Sequence, residues 1–186
     1  VLAEAAVGDQ RGQVLVGGRE NAHVDHDFGL GAAIDFDDDG QQISGRATGL
    51  RGVSIYMDYP SHTGTENLLM AATLASGRTT IVNAACEPEI VFLGNMLNRM
   101  GACISGLGSP TITIDGVDRL HGVSETVLPD RLEAGTFAIG AVITGGEVTL
   151  NDVREPDILP LTAKLREAGA DIWIDHDRML VRPSAG

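Results

Sequence analysis

Residues 83–104 read NAACEPEIVFLGNMLNRMGACI, and 68 positions later residues 151–172 read NDVREPDILPLTAKLREAGADI. Glu87-Pro88 falls on Glu155-Pro156, Ile90 on Ile158 and Leu97 on Leu165. Gly101-Ala102 falls on Gly169-Ala170, Ile104 on Ile172, and upstream Gly77 falls on Gly145. A register held this long without a gap marks an internal repeat, so the fold is built by duplicating one unit. Pro next to an acid suits the first turn of a helix, and a glycine after the last apolar position suits its end. Ile90, Val91, Leu93, Leu97 and Met100 then form one apolar face, so a helix runs from Pro88 to Gly101.

Working outward, Glu66–Ser76 has helical apolar spacing and is expected to stop at Gly77. Thr79–Asn83 is short and β-branched, which reads as a strand. Cys103–Ser105 and Thr111–Asp115 read as a hairpin across the turn residues 106–110. The second copy follows as helix Phe137–Ile143, strand Glu147–Asn151, helix Asp157–Ala168 and strands Asp171–Ile174 and Met179–Arg182. A partial earlier copy is visible where Gly31-Ala32 and Ile34 fall on Gly101-Ala102 and Ile104, with Gln13–Val16 a candidate strand ahead of it. The expected class is α+β, made of repeated βαβαββ-type units. The chain divides into a partial unit over 1–54 and a full unit over 59–122 within 1–128, then a further unit over 129–186.

Composition narrows the function. The 186 residues carry 26 acidic against 13 basic side chains, a formal charge of −13. That field repels phosphate backbones, so nucleic acid is not an expected partner. Lys164 is the only lysine, so lysine chemistry has one source in this chain. No apolar run approaches the roughly 20 residues of a membrane-spanning helix. No secretory signal is visible, and Val1 in place of Met leads us to expect a processed or trimmed chain. Cys86 and Cys103 form no ligand-spaced set, which fits a reducing, cytoplasmic setting.

Three polar stretches compete as sites. Asp35-Phe36-Asp37-Asp38-Asp39-Gly40 resembles the front of a calcium loop, but position twelve is Arg46 where a bidentate Glu is required, so it reads as a hairpin turn. His23-Val24-Asp25-His26-Asp27 is rich in ligand types, yet a metal needs three or four that converge, and a polar loop explains the run. Tyr59-Pro60-Ser61-His62-Thr63-Gly64-Thr65 leads into a helix, where backbone N–H groups and hydroxyls suit either an N-cap or a bound phosphate. Pro129-Asp130-Arg131 stands at the corresponding place in the second copy. No metal or cofactor is called for.

Beyond these local features, several longer runs resemble one family. They are Pro60-Ser61 with Thr65-Glu66-Asn67-Leu68-Leu69-Met70-Ala71-Ala72-Thr73-Leu74-Ala75, then Asn83-Ala84-Ala85, then Glu87-Pro88-Glu89-Ile90-Val91. The most specific is Leu128-Pro129-Asp130-Arg131-Leu132-Glu133-Ala134-Gly135-Thr136-Phe137, followed by Ala163-Lys164-Leu165-Arg166-Glu167-Ala168-Gly169-Ala170. Over about residues 31–175 the chain looks like UDP-N-acetylglucosamine 1-carboxyvinyltransferase, the enolpyruvyl transferase family of peptidoglycan synthesis. The resemblance implies an inside-out α/β barrel of two domains, each with three such units, and substrates in the cleft between them.

It also implies UDP-N-acetylglucosamine and phosphoenolpyruvate as partners. Tyr59, Pro60, Ser61 and His62 would lie along the uridine diphosphate, and Glu87 and Asp130 near the reacting groups. Asp25, at the end of the family's loop motif, would be a further substrate contact. The family's Cys or Asp acid after Gly-Gly is replaced by Arg19 behind Gly17-Gly18, its early Lys-Asn pair is absent, and the loop is about six residues shorter. No catalytic residue is therefore assigned, and turnover is expected to need other chain segments. The alternative is a non-catalytic relative that binds a sugar nucleotide or acts through assembly. An incomplete set of units leaves apolar faces open, which favours an oligomer of identical chains.

Overall fold

A computed structural model describes residues 13–15, 30–36 and 43–183. The chain resolves into two compact units, Val1–Glu125 and Thr126–Gly186. Both combine helices with largely antiparallel sheet, so the class is α+β.

The first unit opens with β1 (Gln13–Leu15), β2 (Ala33–Phe36) and β3 (Ile43–Arg46), a small sheet in the order β1-β3-β2. β2 and β3 pair antiparallel with Phe36 opposite Ile43. The acidic run 37–40, read from the sequence as a hairpin turn, and the segment carrying Gly17 to Asp27, with Arg19 and Asp25, lie outside the described residues.

The larger sheet begins with β4 (Ser54–Tyr56), which pairs in parallel with β5 (Arg78–Val82). Parallel neighbours require a crossover, and α1 (His62–Ala72) supplies it. After α2 (Pro88–Arg99), the hairpin of β6 (Cys103–Ser105) and β7 (Thr111–Asp115) completes the order β4-β5-β7-β6. Ile55, Ile81, Ile104, Ile112 and Ile114 are buried together with Leu68, Leu69 and Ala72 of α1 and Ile90 and Leu97 of α2. The core is therefore the inner face of this sheet under two helices.

The second unit holds α3 (Arg131–Thr144), β8 (Val148–Leu150), α4 (Glu155–Glu167), β9 (Ala170–Asp175) and β10 (Arg178–Pro183). Its sheet order, β8-β10-β9, repeats β5-β7-β6 of the first unit with the same antiparallel pairings. Ala138, Val153, Ile158, Ile172, Met179 and Val181 form its own core. One device recurs with different chemistry. Asn98 near the end of α2 clamps Ile104, donating from Nδ2 to its carbonyl at 2.9 Å and accepting its N–H at 2.8 Å. At the corresponding place on α4, Arg166 donates to the Ile172 carbonyl at 3.1 Å.

Helix ends depart from the sequence expectation where glycine misleads. α1 starts at His62, four residues ahead of Glu66, because buried Ser61 accepts the Gly64 N–H at 3.1 Å and offsets the poor propensity of His-Thr-Gly-Thr. It ends at Ala72, since the Thr73 hydroxyl donates back to the Met70 carbonyl and Ser76 is drawn into a bridge with Arg51. Gly77 does adopt a left-handed φ of +95°, but as the lead into β5. α3 likewise starts at Arg131, six residues ahead of Phe137, and it runs to Gly145, whose φ of 68° closes it. β4 escaped the sequence reading because only Ile55 of its three residues points inward.

The β9–β10 turn gives a pH-dependent contact. His176, at φ 54°, approaches Asp175 with Nδ1 2.6 Å from the carboxylate. The hydrogen bond first, and the carboxylate charge second, raise the imidazole above its ordinary value. A group raised by folding contributes stability that is complete below its unfolded value and is lost as pH climbs through the folded one. The His176 ring is expected to titrate above about 6.5 by NMR, and Asp175→Asn to bring the midpoint back down. An unchanged midpoint in that variant would remove the assignment.

Candidate functional site

The expected residues of the first unit gather where two strand-to-helix loops meet. The loop from β4 to α1 carries Tyr59, Pro60, Ser61 and His62, and the loop from β5 to α2 carries Asn83 to Glu87. β4 and β5 are parallel neighbours, so both loops leave the same end of the sheet. Several bonds hold them together. Asn83, at a left-handed φ of 62°, donates from Nδ2 to the Met57 carbonyl at 2.8 Å, and the Met57 N–H donates to the Val82 carbonyl at 3.0 Å. The Thr65 hydroxyl donates to the Ser61 carbonyl at 2.7 Å and accepts the Ala85 N–H at 3.0 Å. Thr65 is fully buried, so this one oxygen joins the first turn of α1 to the approach of α2.

Ser61 fits its expected place at the helix entrance, with its hydroxyl engaged as the N-cap. The N–H groups of His62 and Thr63 have no acceptor among the described residues, which leaves two donors aimed along the dipole as an oxyanion site would require. His62 spans the two helices, with Nδ1 3.6 Å from Glu66 and Nε2 3.5 Å from Glu89. Tyr59 stands half-exposed beside them. Glu87 occupies the N-cap position of α2 but its carboxylate does not cap the helix. Its Oε2 is buried without a hydrogen-bond partner among the described residues, and an uncompensated carboxylate oxygen is costly. The loop cluster thus offers amide donors on α1 and carboxylate acceptors on α2, a pairing suited to a ligand that carries both oxyanions and hydroxyls.

Asp130 belongs to the second unit. Its Oδ1 accepts the N–H groups of Leu132 at 2.8 Å and Glu133 at 3.1 Å, while Oδ2 makes no hydrogen bond among the described residues. One oxygen is structural and the other is available. Asp130→Ala is expected to cost the second unit about 1 kcal/mol through loss of the cap, read as a lower unfolding midpoint by Trp173 fluorescence. Asp25 lies outside the described residues. Among the described residues no group of three or more His, Cys, Asp and Glu comes together as a metal site.

Thr65, Asn83 and Glu89 do as much as the expected residues to build this site, yet the sequence reading named them only within longer runs and gave them no role of their own. The spacing of Thr65 four residues after Ser61 was the available signal for a back-bonded hydroxyl. Asn directly after a strand was the signal for a left-handed position.

The profile of the EPSP synthase (3-phosphoshikimate 1-carboxyvinyltransferase) family matches residues 22–184. A UDP-N-acetylglucosamine 1-carboxyvinyltransferase 2 of Carboxydothermus hydrogenoformans is 54% identical over 142 residues, covering 75% of this chain and 34% of the relative. A UDP-N-acetylglucosamine 1-carboxyvinyltransferase of Halorhodospira halophila is 46% identical over 179 residues, covering 94% and 42%. The chain therefore spans between a third and a half of the length of these relatives. Among solved structures, the enolpyruvyl transferase NikO from Streptomyces tendae superposes with a TM-score of 0.77 at 19% identity, over 94% of this chain and 44% of that one. An EPSP synthase from Acinetobacter baumannii superposes at 0.65 with 21% identity, over 94% and 43%. At such identities these two establish the fold alone.

Proposed function

The chain belongs to the EPSP synthase family, and from that premise we propose that it is part of an enolpyruvyl transferase acting on UDP-N-acetylglucosamine in peptidoglycan synthesis. The observation that carries the choice of substrate is the identity of 46–54% to relatives named for that sugar nucleotide, over 75–94% of this chain. In the proposed reaction the sugar 3-hydroxyl oxygen bonds to C2 of phosphoenolpyruvate while C3 takes a proton. The adduct then loses phosphate and a C3 proton to leave the enolpyruvyl ether. Both steps need an acid and a base held in place, and donors for the developing phosphate charge.

In this reading the His62 and Thr63 amides, with Tyr59, Pro60 and Ser61, receive the uridine diphosphate. Glu87 and the Oδ2 of Asp130 serve the sugar and phosphoenolpyruvate end, and Asp25 contacts substrate from the preceding loop. Residues 1–128 form part of one domain and 129–186 one unit of the other, and segments matching the rest of the relatives' length complete the site. The setting is cytoplasmic. No helix among the described residues is long and apolar enough to cross a membrane.

A second reading rests on Gly17-Gly18-Arg19, which places a guanidinium where the family has an acid. Arginine does not release a proton near neutral pH, so a binding or assembly protein with this fold is the alternative. Calorimetric titration with UDP-N-acetylglucosamine, followed by phosphate release on adding phosphoenolpyruvate, separates the two. Saturable binding with turnover supports the transferase, and binding without phosphate release supports the alternative. The absence of any binding would remove the sugar-nucleotide site from both.

A further inference from the structure

The outer face of the second unit's sheet differs from that of the first in a way the fold does not demand. In the first unit the central cross-strand row on this face is Ser105, Thr113 and Thr80. At the same register in the second unit the row is Trp173, Leu180 and Thr149. Trp173 is the only tryptophan of the chain, and it is 59% exposed. Since hydroxyls serve the first unit at these places, the sheet itself has no use for an indole on its solvent side.

The charges around this row are ordered. Along β9 the outward residues are Asp171, Trp173 and Asp175, and along β10 they are Arg182, Leu180 and Arg178, each directly opposite the other. One strand presents acid, aromatic, acid, and its neighbour presents base, aliphatic, base. Arg182 is bonded to Asp171 at 2.7 Å, whereas Asp175 is taken by His176 and Arg178 makes no ion pair among the described residues.

We infer that a second copy of this chain docks on this face, sheet against sheet, about a two-fold axis that runs parallel to the strands between β9 and β10. Such an axis lays β9 of each copy over β10 of the other. Trp173 then meets Leu180, Asp171 meets Arg182, and Asp175 meets the unspent Arg178, all of them twice. An axis across the strands would instead stack Asp171 on Asp175 and Arg178 on Arg182, so charge selects the first arrangement. Faces of two sheets stack about 10 Å apart, a gap that an indole and a leucine fill. Isologous contacts of this kind are self-complementary by construction. Six side chains per copy fall short of the roughly 800 Å² per partner of a tight complex, so the dimer is a micromolar one that exchanges freely. The inference does not depend on the proposed reaction.

Sedimentation velocity of the full chain, from low micromolar to sub-millimolar concentration, tests it. The wild type is expected to pass from monomer to dimer, with Trp173 emission shifting to the blue over the same range. Trp173→Ser, which installs the first unit's residue, is expected to raise the dissociation constant at least about tenfold. Reversing both arginines of β10 (Arg178→Asp with Arg182→Asp) makes the face wholly acidic, and reversing both acids of β9 (Asp171→Arg with Asp175→Arg) makes it wholly basic. Each is expected to be monomeric alone and to form a mixed dimer when combined, which also shows that both remain folded. A wild type monomeric throughout overturns the inference and leaves the face to a different occupant. A dimer insensitive to Trp173→Ser, or reversed variants that fail to associate when mixed, overturns it equally.

Discussion

Thr65→Val is expected to destabilise the first unit by about 1–3 kcal/mol and to weaken sugar-nucleotide binding at the same time. The substitution keeps the shape and removes one oxygen. That oxygen accepts the Ala85 N–H and donates to the Ser61 carbonyl in a fully buried place. Valine leaves the Ala85 N–H without that acceptor where water does not reach, while the Ser61 carbonyl keeps the Thr65 N–H at 3.0 Å, and the penalty for the one orphaned donor sets the magnitude. The binding effect follows from position. Ser61 caps α1 and Ala85 lies two residues before Glu87, so the bond sets the distance between the amide donors of one helix and the carboxylates of the other. Trp173 sits in the second unit and is blind to this change. Hydrogen exchange at the Ile81 and Ile112 amides, both in the first unit's core, is the appropriate readout. Exchange as slow as in the wild type would show that the Thr65 hydroxyl is dispensable.

Glu87→Ala is expected to move stability and binding in opposite directions. Its buried Oε2 has no partner among the described residues, so deleting the carboxylate relieves an uncompensated group and raises first-unit stability by about 1–2 kcal/mol. Glu87 offers α2 no side-chain cap, so little is lost in exchange. If the carboxylate is kept to receive a ligand hydroxyl, a charged hydrogen bond of about 1.5–3 kcal/mol is lost, or roughly a ten- to hundredfold rise in dissociation constant for UDP-N-acetylglucosamine. Functional sites commonly hold groups that cost stability. Calorimetry beside thermal unfolding measures both signs. Unchanged affinity would leave Glu87 outside the ligand contacts, whatever happened to stability.

What was legible in the sequence follows the strength of the local signals. α2 and the β6–β7 hairpin sit where the repeat and its punctuation put them, because Pro88, Gly101 and the alternating Thr-Ile pattern of β7 act through neighbours one to four residues away. α1 and α3 start early because their beginnings depend on one capping oxygen each, from Ser61 and Asp130, and nearby glycines argue the other way. The chemical types gathered at the site were visible as Ser61, His62 and Glu87. The bonds that gather them were not. Thr65 acts on Ala85 and Asn83 on Met57, partners 20 and 26 residues away along the chain, and no periodicity within one helix or strand encodes such a distance.

The paired clamps of Asn98 on Ile104 and Arg166 on Ile172 bear on how the duplication has aged. An amide and a guanidinium share no ancestry of shape, and a comparison letter by letter scores the two positions as unrelated. Both satisfy one carbonyl at the start of one strand, from six residues upstream. The same obligation of the backbone is met in the two units by different side chains. In the partial copy the position six residues ahead of Ile34 is Phe28, which carries no donor, so this clamp belongs to the two full units and separates them from the partial one.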